Sequence, residues 1–383
     1  MVWPLKHSIL SFGIVINLCI LTLCDIHAQD QAVFSHLSVN DGLSQSTIRT
    51  IVQDHQGFLW FGTRGGGLNR YDGYDFHVLM NNPYDPSSLS DNEVISVFED
   101  HKGILWVGTK SGGLNRYDGS SGKFFHYFYQ DSIEQDLQTP TSVNVIFEDS
   151  EGQLYVGLND GVGLYDRQSD SFTSLFSDLS LQLAGVTGIC EDNLGNLYFG
   201  TQDRLVKYNK RTAATEYLKY KVDPYVEVGG RIITLCFDRH ENLWIGTSEG
   251  VSLVETQPVL RFIDSLPIAS RIPESFNYTR VITEASDGNI WFGTIDGLYQ
   301  YDDDTQQLIS HHSDPNIPES LGNNAIETIY EDKVGTLWIG TWSGINILDK
   351  RKYKFTLYKN QVNNPNSLSN NIVSSFQEDD KGI

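Results

Sequence analysis

A short aromatic–glycine motif recurs seven times along the chain. It first appears as Gly57-Phe58-Leu59-Trp60-Phe61-Gly62-Thr63 and returns as Leu105-Trp106-Val107-Gly108-Thr109 and Leu154-Tyr155-Val156-Gly157-Leu158. Further copies are Leu197-Tyr198-Phe199-Gly200-Thr201, Leu243-Trp244-Ile245-Gly246-Thr247, Ile290-Trp291-Phe292-Gly293-Thr294 and Leu337-Trp338-Ile339-Gly340-Thr341. The glycines stand at 62, 108, 157, 200, 246, 293 and 340, giving steps of 46, 49, 43, 46, 47 and 47. A period in the forties built from short strands predicts a seven-bladed β-propeller, all-β, with four antiparallel strands per blade. The 383 residues are therefore read as one array, not as several unrelated domains.

The first repeat reads strand by strand. Thr47 to Val52 is rich in β-branched residues and is read as strand a; Asp54-His55-Gln56-Gly57 turns; Phe58 to Thr63 is strand b. Arg64-Gly65-Gly66-Gly67 turns again, Leu68 to Tyr71 is strand c, and after Asp72-Gly73 the run Tyr74 to Leu79 is strand d. By this reading the blades lie near 47–79, 93–128, 142–176, 185–219, 231–264, 278–311 and 325–358 of a propeller spanning 29–358. The longer d–a loop, Met80 to Asn92, returns as Asp314 to Leu321 and Asn364 to Ser369; its Pro, Asn and Ser residues mark an ordered turn.

Within strand b, Trp60 and Gly62 point to one face and Leu59 and Phe61 to the other. Both faces of a blade meet a neighbour, so both sets are expected in the core, as is the aliphatic position Ile51, Val97, Ile146, Ile189, Leu235, Ile282 and Ile329. The repeated aromatics Trp60, Trp106, Tyr155, Tyr198, Trp244, Trp291 and Trp338 are read as structural. An aspartate stands three residues before the turn position in six copies, Asp54, Asp100, Asp149, Asp192, Asp238 and Asp332, with Ala285 the exception. Metal ligation or acid catalysis would need such a group once. Repetition favours a carboxylate that accepts backbone N–H bonds across the hairpin.

The net charge of −22 disfavours nucleic acid or an anionic membrane as partner. Asp302-Asp303-Asp304 lacks the alternating spacing of a calcium loop and is read as a solvated turn, so no metal and no cofactor is expected. No catalytic motif stands out: HExxH, a phosphate loop and CxxC are all missing from the sequence. Cys190 and Cys236 occupy equivalent positions in adjacent repeats and are read as free buried thiols, with a disulfide as the alternative.

At the N-terminus, Lys6 and His7 precede an apolar run from Ile9 to Leu23, and Ile26-His27-Ala28 ends on a small residue. This predicts a signal peptide over 1–28, an uncleaved anchor being the alternative. Phe34 to Leu37 resembles Phe76 to Leu79 and is expected to close blade seven as its outer strand; Lys354 to Tyr358 is the competing candidate. The last residues, Gln377 to Ile383, match Phe98 to Ile104, so 359–383 reads as the truncated start of a further repeat and the chain as a fragment.

The run Glu99 to Gly119, EDHKGILWVGTKSGGLNRYDG, resembles the two-component regulator propeller repeat. Phe34 to Ile48, FSHLSVNDGLSQSTI, is similar to the start of the periplasmic half of hybrid two-component sensors of Bacteroidetes type. The resemblance implies a non-catalytic periplasmic sensor of glycan-derived oligosaccharides. It also implies missing parts: a second propeller, an immunoglobulin-like domain, a membrane span and a histidine kinase, with a homodimer as a possible assembly. A secreted lyase or glycoside hydrolase, or an interaction scaffold, are the alternatives.

For a binding site, the b–c turns and long d–a loops share one end of the propeller. The first residues of the b–c turns differ between copies: Arg64, Lys110, Asn159, Gln202, Ser248-Glu249, Ile295-Asp296 and Trp342. Trp342 could stack on a sugar, and Arg64 and Lys110 could pair with a sulfate or uronate.

Overall fold

The sevenfold motif folds into seven four-stranded antiparallel sheets. The computed structural model describes residues 32–127, 142–176, 183, 185–202, 204–219, 231–256, 261–262, 278–302, 304–349, 370 and 372. All the sheets belong to the compact unit that begins at Phe34. Blade 1 consists of strand a, Ile48–Gln53; b, Leu59–Thr63; c, Leu68–Tyr71; and d, Phe76–Leu79. Blades 2 to 6 repeat this order and begin at Val94–Glu99, Val143–Glu148, Gly188–Glu191, Ile232–Phe237 and Val281–Glu284. Each strand a touches those of its two neighbours, so the seven form a closed inner ring.

Blade 7 supplies Ile326–Glu331, Thr336–Thr341 and Gly344–Asp349. Its fourth strand is Ser35–Leu37, paired antiparallel as Ser35 with Ile347 and Leu37 with Ile345. The N-terminal strand therefore closes the ring, while buried Phe34 donates its N–H to Glu319 O at 2.8 Å. Lys354 to Tyr358, the proposed signal 1–28 and the further repeat at 359–383 lie outside the described residues, apart from 370 and 372.

Strand b is buried throughout, and its two faces serve two interfaces. Trp60 packs with Val97, Leu105 and Val107 of blade 2, whereas Leu59 and Phe61 pack with Trp338 and Ile345 of blade 7. Glycine after the aromatics is a packing requirement: a Cβ on Gly62 would lie 2.5 Å from Thr50 Cγ2 and 2.6 Å from Val94 Cγ1. The d–a loops are also anchored. Asn69 and Asn115 on strand c accept from the N–H of Ser44 and Ser90, and Leu89 and Leu321 are buried.

The repeated aspartate holds the hairpin and the core aromatic together. Asp54 Oδ1 accepts from the N–H groups of Gln56 and Phe58 at 3.0 and 2.9 Å, and its Oδ2 accepts from Trp60 Nε1 at 2.8 Å. Asp100, Asp238 and Asp332 bind the indoles of Trp106, Trp244 and Trp338 in the same way. Asp149 and Asp192 bind the hydroxyls of Tyr155 and Tyr198, so tyrosine replaces tryptophan without losing the donor. Burial, followed by the nearby aspartate, pushes both tyrosine pKa values up. Burial alone would raise the Asp100 pKa, but Trp106, the Ile104 amide and Arg167 together hold it below the ordinary carboxylate value.

Blade 6 has Ala285 at this position, and Trp291 Nε1 is buried there without a partner. The Trp291 ring stacks instead on His311, with centroids 5.8 Å apart, and His311 Nε2 is likewise buried and unpaired. Burial, and then the adjacent His312, pull the His311 pKa down to about 4. Cys190 and Cys236 are free thiols, each only partly buried as a residue. Burial of the sulfur raises the Cys236 pKa to about 11 and that of Cys190 well above its ordinary value, which keeps both unreactive.

Three outcomes follow from this architecture. Ala285→Asp should supply the missing acceptor for Trp291 and raise unfolding free energy by about 1 kcal/mol, whereas Asp100→Ala should lower it by about 2–3 kcal/mol; denaturant titration of both variants decides. Deleting residues 29–38 should lower the melting temperature clearly, because it reopens the ring; an unchanged value would show that another strand closes it. His311 is neutral in the fold and protonates more readily once exposed. Stability should therefore fall as pH drops from about 6.5 towards about 4. His311→Phe should flatten that part of a melting-temperature profile.

Candidate functional site

The b–c turns and d–a loops lie at the end of the propeller where each strand a begins. There the a–b pairing shifts register by one residue in five blades, skipping Arg49, Ile95, Asn144, Ile233 and Glu327. A skipped residue leaves the ladder and its side chain is re-aimed. In blades 1 and 7 this unpairs two opposite charges, Arg49 and Glu327. Blade 6 places Arg280 at the corresponding position, one residue before Val281, the partner of Gly293.

These residues join into a row across four blades. Lys110 Nζ lies 3.1 Å from Glu93 Oε2, and Glu93 Oε1 lies 3.3 Å from Arg49. Arg49 reaches Glu327 at 3.5 Å, and Arg280 reaches the same carboxylate at 2.8 Å. The Glu327 side chain is only 5% exposed, so two guanidinium groups compensate a charge removed from water. Trp342 Nε1 donates to Glu327 Oε1, which tethers an indole that is 45% exposed as a residue. Arg280 lies over the Tyr278 ring at 5.0 Å, and the Nε atoms of Arg49 and Arg280 are buried without partners.

The sequence-predicted residues divide accordingly. Lys110 and Trp342 belong to the row, and Arg64 adjoins it through a backbone bridge to Glu93. Asn159 Oδ1 accepts from Asn144 Nδ2 at 3.1 Å in blade 3. Gln202, Glu249 and Asp296 are exposed at their own turns; the Glu249 and Asp296 amides donate to Thr247 and Thr294. Sequence reasoning did not find Arg49, Glu93, Arg280 and Glu327. The available signal was the column Arg49, Ile95, Asn144, Thr187, Ile233, Arg280 and Glu327, variable in a strand whose other positions repeat.

The row offers indole, ammonium and guanidinium groups on a rigid ring, a set suited to binding an anionic or hydroxyl-rich ligand. The six aspartates are engaged in the hairpins described above. Asp302 Oδ1 accepts from the Asp304 and Thr305 amides, as in an ordinary turn. Among the described residues no group of three or more His, Cys, Asp or Glu is placed to hold a metal ion, and no helix is long and apolar enough to cross a membrane.

Comparison with known proteins agrees with this architecture. Residues 42–65, 88–111, 273–296 and 320–343 match the two component regulator propeller family. A segment of 58 residues, 15% of this chain, is 50% identical to histidine kinase P4 of Formosa agariphila and covers 4% of that protein. The extracellular domain of the putative hybrid two component system BT3049 from B. thetaiotaomicron superposes with a TM-score of 0.72 at 26% identity. That match covers 91% of this chain and 46% of the other, so the chain spans about half of its relative's domain. The corresponding domain of BT4673 from B. thetaiotaomicron gives a TM-score of 0.68 at 21% identity, over 86% of this chain and 40% of that one. Four segments of this chain thus match the two component regulator propeller model, and the propeller is similar to one in the extracellular domain of a putative hybrid two component system.

Proposed function

We propose that this chain is a non-catalytic, extracytoplasmic sensor propeller that binds a glycan-derived oligosaccharide at the end carrying the b–c turns. The observation that carries the reading is the row from Lys110 to Arg280 with Trp342 beside it. It is a non-repeating set of polar groups on a scaffold that otherwise repeats. A single asymmetric ligand requires such a break in symmetry. Similarity to a histidine kinase and to extracellular domains of hybrid two component systems supports a signalling role in a longer, membrane-anchored periplasmic sensor. In that protein a second propeller, a membrane span and a kinase would complete the receptor, and a homodimer would provide the output.

In this reading Trp342 stacks on a sugar face, while Arg64 and Lys110 receive a uronate or sulfate. Asn159, Gln202, Glu249 and Asp296 border the same end and would select among hydroxyl patterns. The test is calorimetric titration of acidic and neutral oligosaccharides into the full exported region and its Trp342→Ala variant, with product analysis of each mixture. An acidic oligosaccharide should bind unchanged, and the variant should lose about tenfold in affinity, equivalent to about 1.4 kcal/mol. Equal affinity in both proteins would remove Trp342 from the site. Cleavage of the sugar would replace the sensor reading with an enzymatic one.

A further inference from the structure

At the opposite end of the propeller, one turn fastens blade 3 to blade 2. Arg167 and Asp170 stand three residues apart in the c–d turn of blade 3. Arg167 lies 2.9 Å from Asp100 Oδ2 of blade 2 and 2.7 Å from Glu148 Oε1 of its own blade, 5.6 Å from the Tyr165 ring. Asp170 pairs in the reverse sense, 3.2 Å from Arg116 of blade 2. The next interface repeats the cationic half: Lys210 of blade 4 lies 2.9 Å from Asp149 and 2.7 Å from Glu191.

Between blades 1 and 2 both reaching groups are missing and the charged receiving groups are all present, although Tyr127, whose hydroxyl also donates to Asp170, is replaced by Leu79. Asp54 and Glu99 hold the places of Asp100 and Glu148, Tyr117 that of Tyr165, and Arg70 that of Arg116. Register fixes the correspondence of the turns, since Asp118 pairs with Lys123 as Asp166 pairs with Ser171. Gly119 therefore replaces Arg167, and Gly122 replaces Asp170. The space they vacate is a cavity of about 110 Å³ walled by Asp54, Glu99, Trp60, Tyr117 and Arg70. It has room for several waters, or for one planar cationic head.

Both halves of the vacancy are chemically visible. Among the described residues Asp54 Oδ2 accepts from Trp60 alone, whereas Asp100 Oδ2 accepts from Trp106 and Arg167. Arg70 lies over the Phe58 ring at 4.7 Å, and among the described residues no carboxylate forms an ion pair with it. His55 binds Glu99 at 2.7 Å, but the equivalent His101 binds Glu148 alongside Arg167, so this contact does not fill the place of the cation. The glycines are not forced by the backbone. A Cβ on Gly119 would meet nothing nearer than 3.7 Å, and Gly122 shares its positive φ of 70° with Asp170 at 52°.

We propose that this notch binds a ligand carrying both a guanidinium or primary ammonium and a carboxylate, the cation seated between Asp54 and Glu99 and the carboxylate on Arg70. The source is either a free arginine-like amino acid or a peptide turn presenting both groups, as Arg167 to Asp170 do within the chain. Calorimetry on the full chain with L-arginine, L-argininamide and the capped peptide acetyl-Arg-Gln-Ser-Asp-amide distinguishes them. Arginine binding as tightly as the peptide identifies a small metabolite; peptide binding alone identifies a partner's turn. Glu99→Gln should weaken binding about tenfold, and Arg70→Gln should weaken the carboxylate-bearing probes by a similar factor. Gly119→Arg combined with Gly122→Asp should fill the notch from within, raise the melting temperature without ligand and abolish binding. Argininamide binding as tightly as arginine would overturn the role of Arg70. No binding by any probe, or equal binding in Glu99→Gln and in the double variant, would overturn the site.

Discussion

A single buried carboxylate, present in six of the seven blades, is the contact on which the rest of this propeller depends. It takes up two turn amides with one oxygen and an indole or phenol with the other. Hydrogen bonds to a charged acceptor contribute about 1.5–3 kcal/mol each when buried. Their geometric effect is larger than their energy suggests. The hairpin fixes the carboxylate, the carboxylate fixes the ring, and the ring forms the wall against which the next blade packs. One polar contact thereby sets an apolar interface, and seven interfaces set the ring. Blade 6 shows what remains without it. Trp291 stays in place by packing and by stacking on His311, and both rings keep an unpaired nitrogen.

The period, the four strands per blade and the structural role of the aspartates were legible because each is written several times over. The likeness of Phe34 to Leu37 to a d strand was enough to suggest how the ring closes, and its pairing with Gly344–Asp349 bears this out. The bond from Asp54 to Trp60 was not legible. The two are six residues apart, on opposite arms of a hairpin, and only the register folds one back onto the other. The candidate site was half legible. Variation among the b–c turns pointed to Lys110 and Trp342. Their partners Glu93 and Glu327 precede or begin strand a, and the pairing of Arg280 with Glu327 joins residues 47 positions apart. A one-residue shift in register turns Arg49 and Glu327 out of the ladder, and nothing in their local sequence announces it.

The interfaces between blades use the same parts in unequal combinations. Arg167 and Lys210 complete two of them, and Arg239 reaches Glu284 across a third from a different position. The cost of burying a carboxylate pair is thus met differently at each boundary. A repeat array tolerates such drift because each boundary involves only neighbouring units.

The closing strand makes the propeller a loop in chain order as well as in space. Thr47 and Trp342, which meet across the junction of blades 1 and 7, are 295 positions apart. Every other interface can assemble from neighbouring sequence, but this one must wait until both ends of the array are present, and joining distant segments is intrinsically slow. The row of charges crosses this junction, because Arg49 belongs to blade 1 and Glu327 to blade 7. Parting the two blades would separate them and carry Trp342 away from Lys110. The surface at this end is therefore a property of the fastened ring alone, and any molecule that grips both sides of the junction acts as a clasp on it.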